Sequence, residues 1–196
     1  MLTLDPNATA LVIVDLQQGI LALPLMPHDA DHVVARSVEL GRALAEAGGV
    51  LVLVNVDYSD RYADRPTGLV DAPLNLPAEG LPEGWARLAP EVAALPAQVR
   101  ITKRQHSAFF GTELDLQLRR RGIGTVMICG LATNFGVEAT ARDAHALNYA
   151  VVIASDACSS TSPPLHDFAL THILPRVARV RTSAEIIAAF KAGRRV

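Results

Sequence analysis

Cysteine is scarce in this chain: two in 196 residues, Cys129 and Cys158. That excludes a disulfide framework and a zinc cluster, and a reducing cytoplasm is the expected compartment. Aromatic residues make up only 5%, so a core must be built from Ala, Val, Leu and Ile. No charge of one sign dominates, and the net charge is −2. Neither nucleic acid nor a membrane surface is therefore expected as a partner. No apolar run approaches the roughly 18 residues that cross a bilayer. Residues 1–6 (MLTLDP) lack a basic stretch followed by an apolar one, so no signal peptide is expected. Three motifs are also missing. There is no Gly-x-Gly-x-x-Gly after the first apolar run, no Gly-x-x-x-x-Gly-Lys-Ser/Thr phosphate loop and no Gly-x-Ser-x-Gly elbow. Dinucleotide binding, nucleotide hydrolysis and serine-hydrolase chemistry lose their usual signatures.

Half of the residues are apolar and 19% are charged, enough for a folded core. Length and patterning are those of a single domain spanning residues 1–196. Short β-branched runs alternate with amphipathic stretches. Strands are expected at 10–14 (ALVIV), 50–56, 99–102, 125–129, 150–154 and 177–180. Helices are expected at 31–47, from Thr112 as N-cap to Gly122, at 135–147, at 165–173, and at 184–192 capped by Ser183. Apolar runs without alternation belong to strands covered on both faces, and repeated β-α pairs give a three-layer α/β/α sandwich. Six of the 12 prolines fall between Tyr58 and Ala97. That excursion is expected to be a lid or an oligomer contact, with a short helix near 85–95.

In a parallel sheet, ligands bind beyond the carboxyl ends of the strands. The first strand ends in Asp15, a carboxylate that needs a partner if buried. It is either a turn cap or an acid–base group. The third ends in Lys103, which can supply the counter-charge if the two approach. The fourth runs into Gly130-Leu131-Ala132-Thr133-Asn134-Phe135-Gly136, where Thr133 or Asn134 is positioned to cap a helix. Amides at that helix start would favour developing negative charge.

Three separated segments carry a resemblance. They are residues 10–19 with Asp15, Lys103 with Ser107-Ala108-Phe109, and residues 130–144 (GLATNFGVEATARDA). The chain resembles the isochorismatase-like hydrolase (cysteine hydrolase) superfamily over about residues 9–189. The resemblance implies a six-stranded parallel sheet of order 3-2-1-4-5-6, a small-molecule substrate, a homo-oligomer (dimer or tetramer) and a cis peptide at Leu131–Ala132. It also implies an Asp–Lys–Cys triad, with Asp15 and Lys103 at the first two positions. The nucleophile position is occupied by Gly136, and Cys129 and Cys158 are expected to be buried structural thiols. The Asp/His metal site of some relatives is missing after the second strand, where Asn55-Val56-Asp57-Tyr58 stands, so neither metal nor cofactor is expected.

The expected function is hydrolysis by Asp15/Lys103 acid–base chemistry without a covalent cysteine intermediate, on a vinyl ether or a related C–O or C–N bond. Leu131, Ala132, Thr133, Asn134 and Phe135 form the loop beside it. Gln18, Asn55, Arg61, Arg65 and Phe109 are candidate substrate contacts. The rivals are a metabolite-binding protein that has lost the chemistry, and an amidase using another nucleophile such as Thr133 or Cys129.

Overall fold

The computed structural model describes residues 2–193. At its centre is one sheet of six parallel strands: β1 Thr9–Val14, β2 Val50–Val56, β3 Val99–Lys103, β4 Thr125–Leu131, β5 Ala150–Ser159 and β6 Arg179–Arg181. Their order is β3-β2-β1-β4-β5-β6, as expected. Every residue of β1 is buried, because helices cover both faces of the sheet. The helices are α1 Gln18–Leu21, α2 Ala30–Ala47, α3 Pro90–Ala93, α4 Leu114–Arg120, α5 Glu138–Ala146, α6 Pro163–Phe168 and α7 Ser183–Gly193. Winding runs outward in both directions from β1 and β4, so right-handed crossovers put α2 and α5 on opposite faces.

Local chemistry sets the helix ends. The Asp29 carboxylate accepts from the His32 amide at 2.8 Å and starts α2. Gly48, at φ 91°, ends it in the left-handed conformation. Val33, Val38, Leu40 and Leu44 form its buried face. Two expected caps act differently. Helix α4 begins at Leu114, whose amide donates to Thr112 Oγ1 at 3.1 Å, so Thr112 lies one residue further out. Helix α7 begins at Ser183 itself, while Thr182 and Glu185 exchange hydrogen bonds across its first turn. Ser183 Oγ instead donates to Asp156 Oδ2 at 2.6 Å.

Several spans differ from expectation. Strands β4 and β5 run on to Leu131 and Ser159, with a register shift between Ile128 and Gly130. Cys158 therefore lies in β5, opposite Gly130. Strand β6 starts later, because the Val177 and Ala178 amides turn back to the Leu174 carbonyl. The helix expected at 165–173 is α6 followed by a wide turn at Ala169–Ile173 and a tight one at Leu174–Arg176. Of the helix expected near 85–95, only α3 forms. The rest of the proline-rich excursion is irregular apart from turns at Asp60–Tyr62, 77–80 and 82–87.

The winding reverses between the neighbouring strands β1 and β4. Val14, the last residue of β1, pairs with Val54 on one side and Gly130 on the other. A cleft at the carboxyl ends of these strands is the binding position of such sheets.

Candidate active site

Asp15 leaves β1 in the left-handed region, at φ 54°, while its amide donates to Val54 O at 2.9 Å. That turn sends the carboxylate inward, where the residue is 5% exposed. Lys103 ends β3, two strands away, a span of roughly 10 Å that only a long side chain crosses. Its Nζ donates to Asp15 Oδ2 at 2.7 Å and to the Gln105 carbonyl at 3.1 Å. Burial pushes the Asp15 carboxyl up from 3.8 to about 6, against the opposing pull of the Lys103 charge and hydrogen bond. Asp15 Oδ1 is buried without a hydrogen-bond partner. A half-satisfied carboxyl with a raised pKa is suited to exchanging a proton near neutral pH.

Gly130 brings β4 against the end of β1. At φ 111° it has no side chain, and a Cβ there would lie 2.0 Å from Val14 O. The Leu131–Ala132 peptide is cis. The chain then makes a wide turn at Thr133–Val137 before entering α5. Neither Thr133 nor Asn134 caps this helix. Thr133 Oγ1 donates to Ser159 O at 2.9 Å and, at 2.8 Å, accepts from His166 Nδ1, since its one hydrogen is already committed. Asn134 Oδ1 accepts from Ser160 Oγ at 2.6 Å. The Phe135 and Val137 amides bond to the Ala132 carbonyl, which removes Phe135 from the expected anion-facing donors. Gly136 lies directly beside the acid: a Cβ there would be 3.3 Å from Asp15 Oδ2 and 2.8 Å from the Leu131 carbonyl. Thr140 Oγ1 holds the turn in place, donating to Gly136 O at 2.7 Å and accepting from the Ala108 amide at 3.0 Å.

Two further side chains feel the pair's charges. Burial, then the charge of Asp15, raises the Tyr58 phenol, while burial, then Lys103, lowers the His106 imidazole. The His106 ring stacks on Phe135, their centroids 5.4 Å apart. Spacing after Lys103 was the only sequence signal for His106. A third addition is Gln17, fully buried, which binds both the amide and the carbonyl of Val56 and reaches Trp85 O. It stitches the returning limb of the excursion to β1, helped by Gly19, over which the Trp85 ring lies.

The expected substrate contacts fare differently. Gln18 is exposed, and its side-chain oxygen is turned toward Gly84; the inward glutamine is its neighbour. Asn55 is already engaged, accepting from Thr102 Oγ1 and donating to Ala86 O. Arg61 and Arg65 are exposed at the root of the excursion, with Arg65 over the Tyr62 ring. Phe109 is buried in the core against Tyr149, at 5.9 Å, and Phe110 is the exposed one of the two. Both cysteines are fully buried. Burial pushes the Cys129 thiol up to about 12 and the Cys158 thiol well above its ordinary value. Among the described residues, no group of three His, Cys, Asp or Glu side chains is placed to hold a metal ion. No helix among them is long and apolar enough to cross a membrane.

The model of the isochorismatase domain matches residues 9–185. The chain belongs to the isochorismatase family. The isochorismatase family protein YecD of Escherichia coli O157:H7 is 47% identical over 187 residues, covering 95% of this chain and 98% of YecD. A solved isochorismatase family protein from Burkholderia thailandensis superposes with a TM-score of 0.90 at 42% identity, covering 96% and 98% of the two chains. More distantly, the ureidoacrylate amidohydrolase RutB of Enterobacter sp. (strain 638) is 30% identical, covering 83% of this chain and 80% of RutB. Isochorismatase-family members are hydrolases, and in such sheets ligands bind at the switch point.

Proposed function

We propose that the chain is a small-molecule hydrolase in which Asp15 acts as an acid–base group, with no covalent enzyme intermediate. The observation that carries this is the buried Asp15–Lys103 pair, with Asp15 raised to about 6 and Gly136 beside it. A glycine there leaves no nucleophile, and neither cysteine is accessible. Thr133 is no substitute, because its hydroxyl is committed to Ser159 and His166. On a vinyl ether, protonated Asp15 gives its proton to the terminal carbon of the C=C–O unit. The oxocarbenium ion takes up water, and the proton this releases returns to Asp15. The hemiketal then breaks its C–O bond to give a carbonyl compound and an alcohol. Lys103 holds Asp15 in place and balances its charge whenever the proton is away. Tyr58 and His106 lie near enough to the pair to feel its charges.

RutB is named for a ureido substrate, so ureido acids belong in the test panel with vinyl ethers and simple amides. The purified chain is expected to turn over at least one class, and Asp15→Asn to lower the rate by about 100-fold or more. The rate should fall as pH rises through about 6, where Asp15 loses its proton. Turnover undiminished in Asp15→Asn overturns the mechanism.

A further inference from the structure

Helix α6 inverts the usual order of a surface helix. His166 is buried, at 3% exposed, while Leu165 and Phe168 on the same helix are about half exposed. A surface helix normally buries its apolar side chains and leaves an imidazole to water. Burying the ring costs free energy unless its N–H finds a partner. That partner is Thr133, whose Oγ1 lies 2.8 Å from His166 Nδ1. The threonine hydroxyl has one hydrogen, which goes to the Ser159 carbonyl at 2.9 Å. Nδ1 therefore carries the proton, and the ring is held in that tautomer. Burial, then the charge of His28, lowers the His166 imidazole against the pull of Asp167, so the ring is neutral at neutral pH and has a single N–H. Behind it, His28 lies edge to face at 5.9 Å and stacks in turn on His32 at 4.5 Å. The His28 carbonyl accepts from Ser159 Oγ at 2.6 Å, so Ser159 is gripped from both sides.

Thr133 follows the cis Leu131–Ala132 peptide directly and opens the wide turn that carries Gly136 to the acid. Within that turn the backbone folds onto itself, the Phe135 and Val137 amides both going to Ala132 O. Side chains fasten the turn to the rest of the protein. Asn134 is tied to Ser160, and Thr140 joins Gly136 O to the Ala108 amide. The Thr133 tie is the one nearest the cis peptide, and Thr133 is fully buried. There is little slack at Gly136, where a Cβ would lie 2.8 Å from Leu131 O and 3.3 Å from Asp15 Oδ2. The placement of this turn thus sets how closely the acid is enclosed.

We infer, resting on the reading of Asp15 as the acid–base group, that His166 is a positioning residue for that site: its Nδ1–H, acting through Thr133 Oγ1, fixes residues 131–137 against Asp15. What matters is the donor at Nδ1 and not the bulk of the ring. Asparagine places an N–H where Nδ1 stood, and glutamine places one where Nε2 stood.

Imidazole nitrogen chemical shifts of the wild type, sequentially assigned, should show His166 as the Nδ1–H tautomer. The titration of Asp15, followed by its carboxyl carbon chemical shift, then compares variants without any substrate. His166→Asn should leave it within about 0.3 pH units of wild type. His166→Gln and Thr133→Val should each lower it by about 1 pH unit, because water reaches the acid once the turn slackens. The wild-type titration alone tests whether burial raises Asp15, and with it the acid–base reading; the differences between variants test His166. An Nε2–H tautomer in wild type overturns the inference. So do equal titrations in the asparagine and glutamine variants, whether both are kept or both lowered, and so does a Thr133→Val titration that matches wild type. The tautomer needs only folded wild type, and so decides the matter even where a variant fails to fold.

Discussion

Removing both members of the buried pair, by Asp15→Asn with Lys103→Met, should change how stability depends on pH. The unfolded carboxyl titrates near 3.8 and the folded one near 6. The folded state therefore holds the proton more tightly, and the group's stabilising contribution is complete below 3.8. It is lost as pH rises through about 6 and is constant above that. At about 1.4 kcal/mol per tenfold change in proton affinity, the full loss is about 3 kcal/mol. Asp15 is 5% exposed, so solvent does little to screen this effect. Between pH 4 and 8 the observable part is about 2–3 kcal/mol. The double variant has neither group, so its profile supplies the baseline against which wild type is read. It also avoids leaving one charge buried alone, which by itself costs about 3–5 kcal/mol. Urea unfolding followed by circular dichroism at closely spaced pH values gives the difference directly. Wild type should lose ground to the variant as pH rises through 4 to 6, then run parallel to it. A difference that stays flat across this range, or a wild type that gains on the variant, refutes the claim that burial outweighs Lys103 at Asp15.

Two further outcomes follow from the packing. Gly136→Ala forces a Cβ to within 2.8 Å of the Leu131 carbonyl, which should cost about 1–3 kcal/mol and lower the melting temperature by several degrees; an unchanged melting temperature would show that the turn yields freely. Cys129 and Cys158 should both be inert to a thiol-specific disulfide reagent in the native protein and react once guanidinium chloride unfolds it; rapid native labelling of either would show a thiol reachable from solvent.

Much of the framework is legible in short apolar runs, because a parallel strand covered on both faces has no polar alternation to hide it. The acid and its lysine are legible too, as charges where apolar strands stop. What is not legible lies in segments without a period. Gln17 and Gln18 are adjacent and chemically identical, and which of them faces in depends on the turn after Asp15. Phe109 and Phe110 differ in the same way, in a loop where no repeat separates inside from outside. Strand β5 reads as ending at Ala154 because Ser155 and Asp156 are polar. Their partners, the Arg181 carbonyl and Ser183, come from about 26 residues further along the chain. The capping expected of Thr133 fails for a similar reason, since β5 and His166 supply partners that local sequence does not reveal.

Lys103 is the last residue of β3, and β3 is the outermost strand of its half of the sheet. Its ammonium passes over the end of β2 to Asp15 at the end of β1. The ion pair is thus a tie-bar from the sheet's margin to its middle. Peeling β3 away would take the lysine with it and leave the acid alone, so fraying at the margin and the acid's proton affinity are one coupled event. A change in solvent or sequence that loosens the margin should therefore be detectable at the acid before the sheet as a whole gives way.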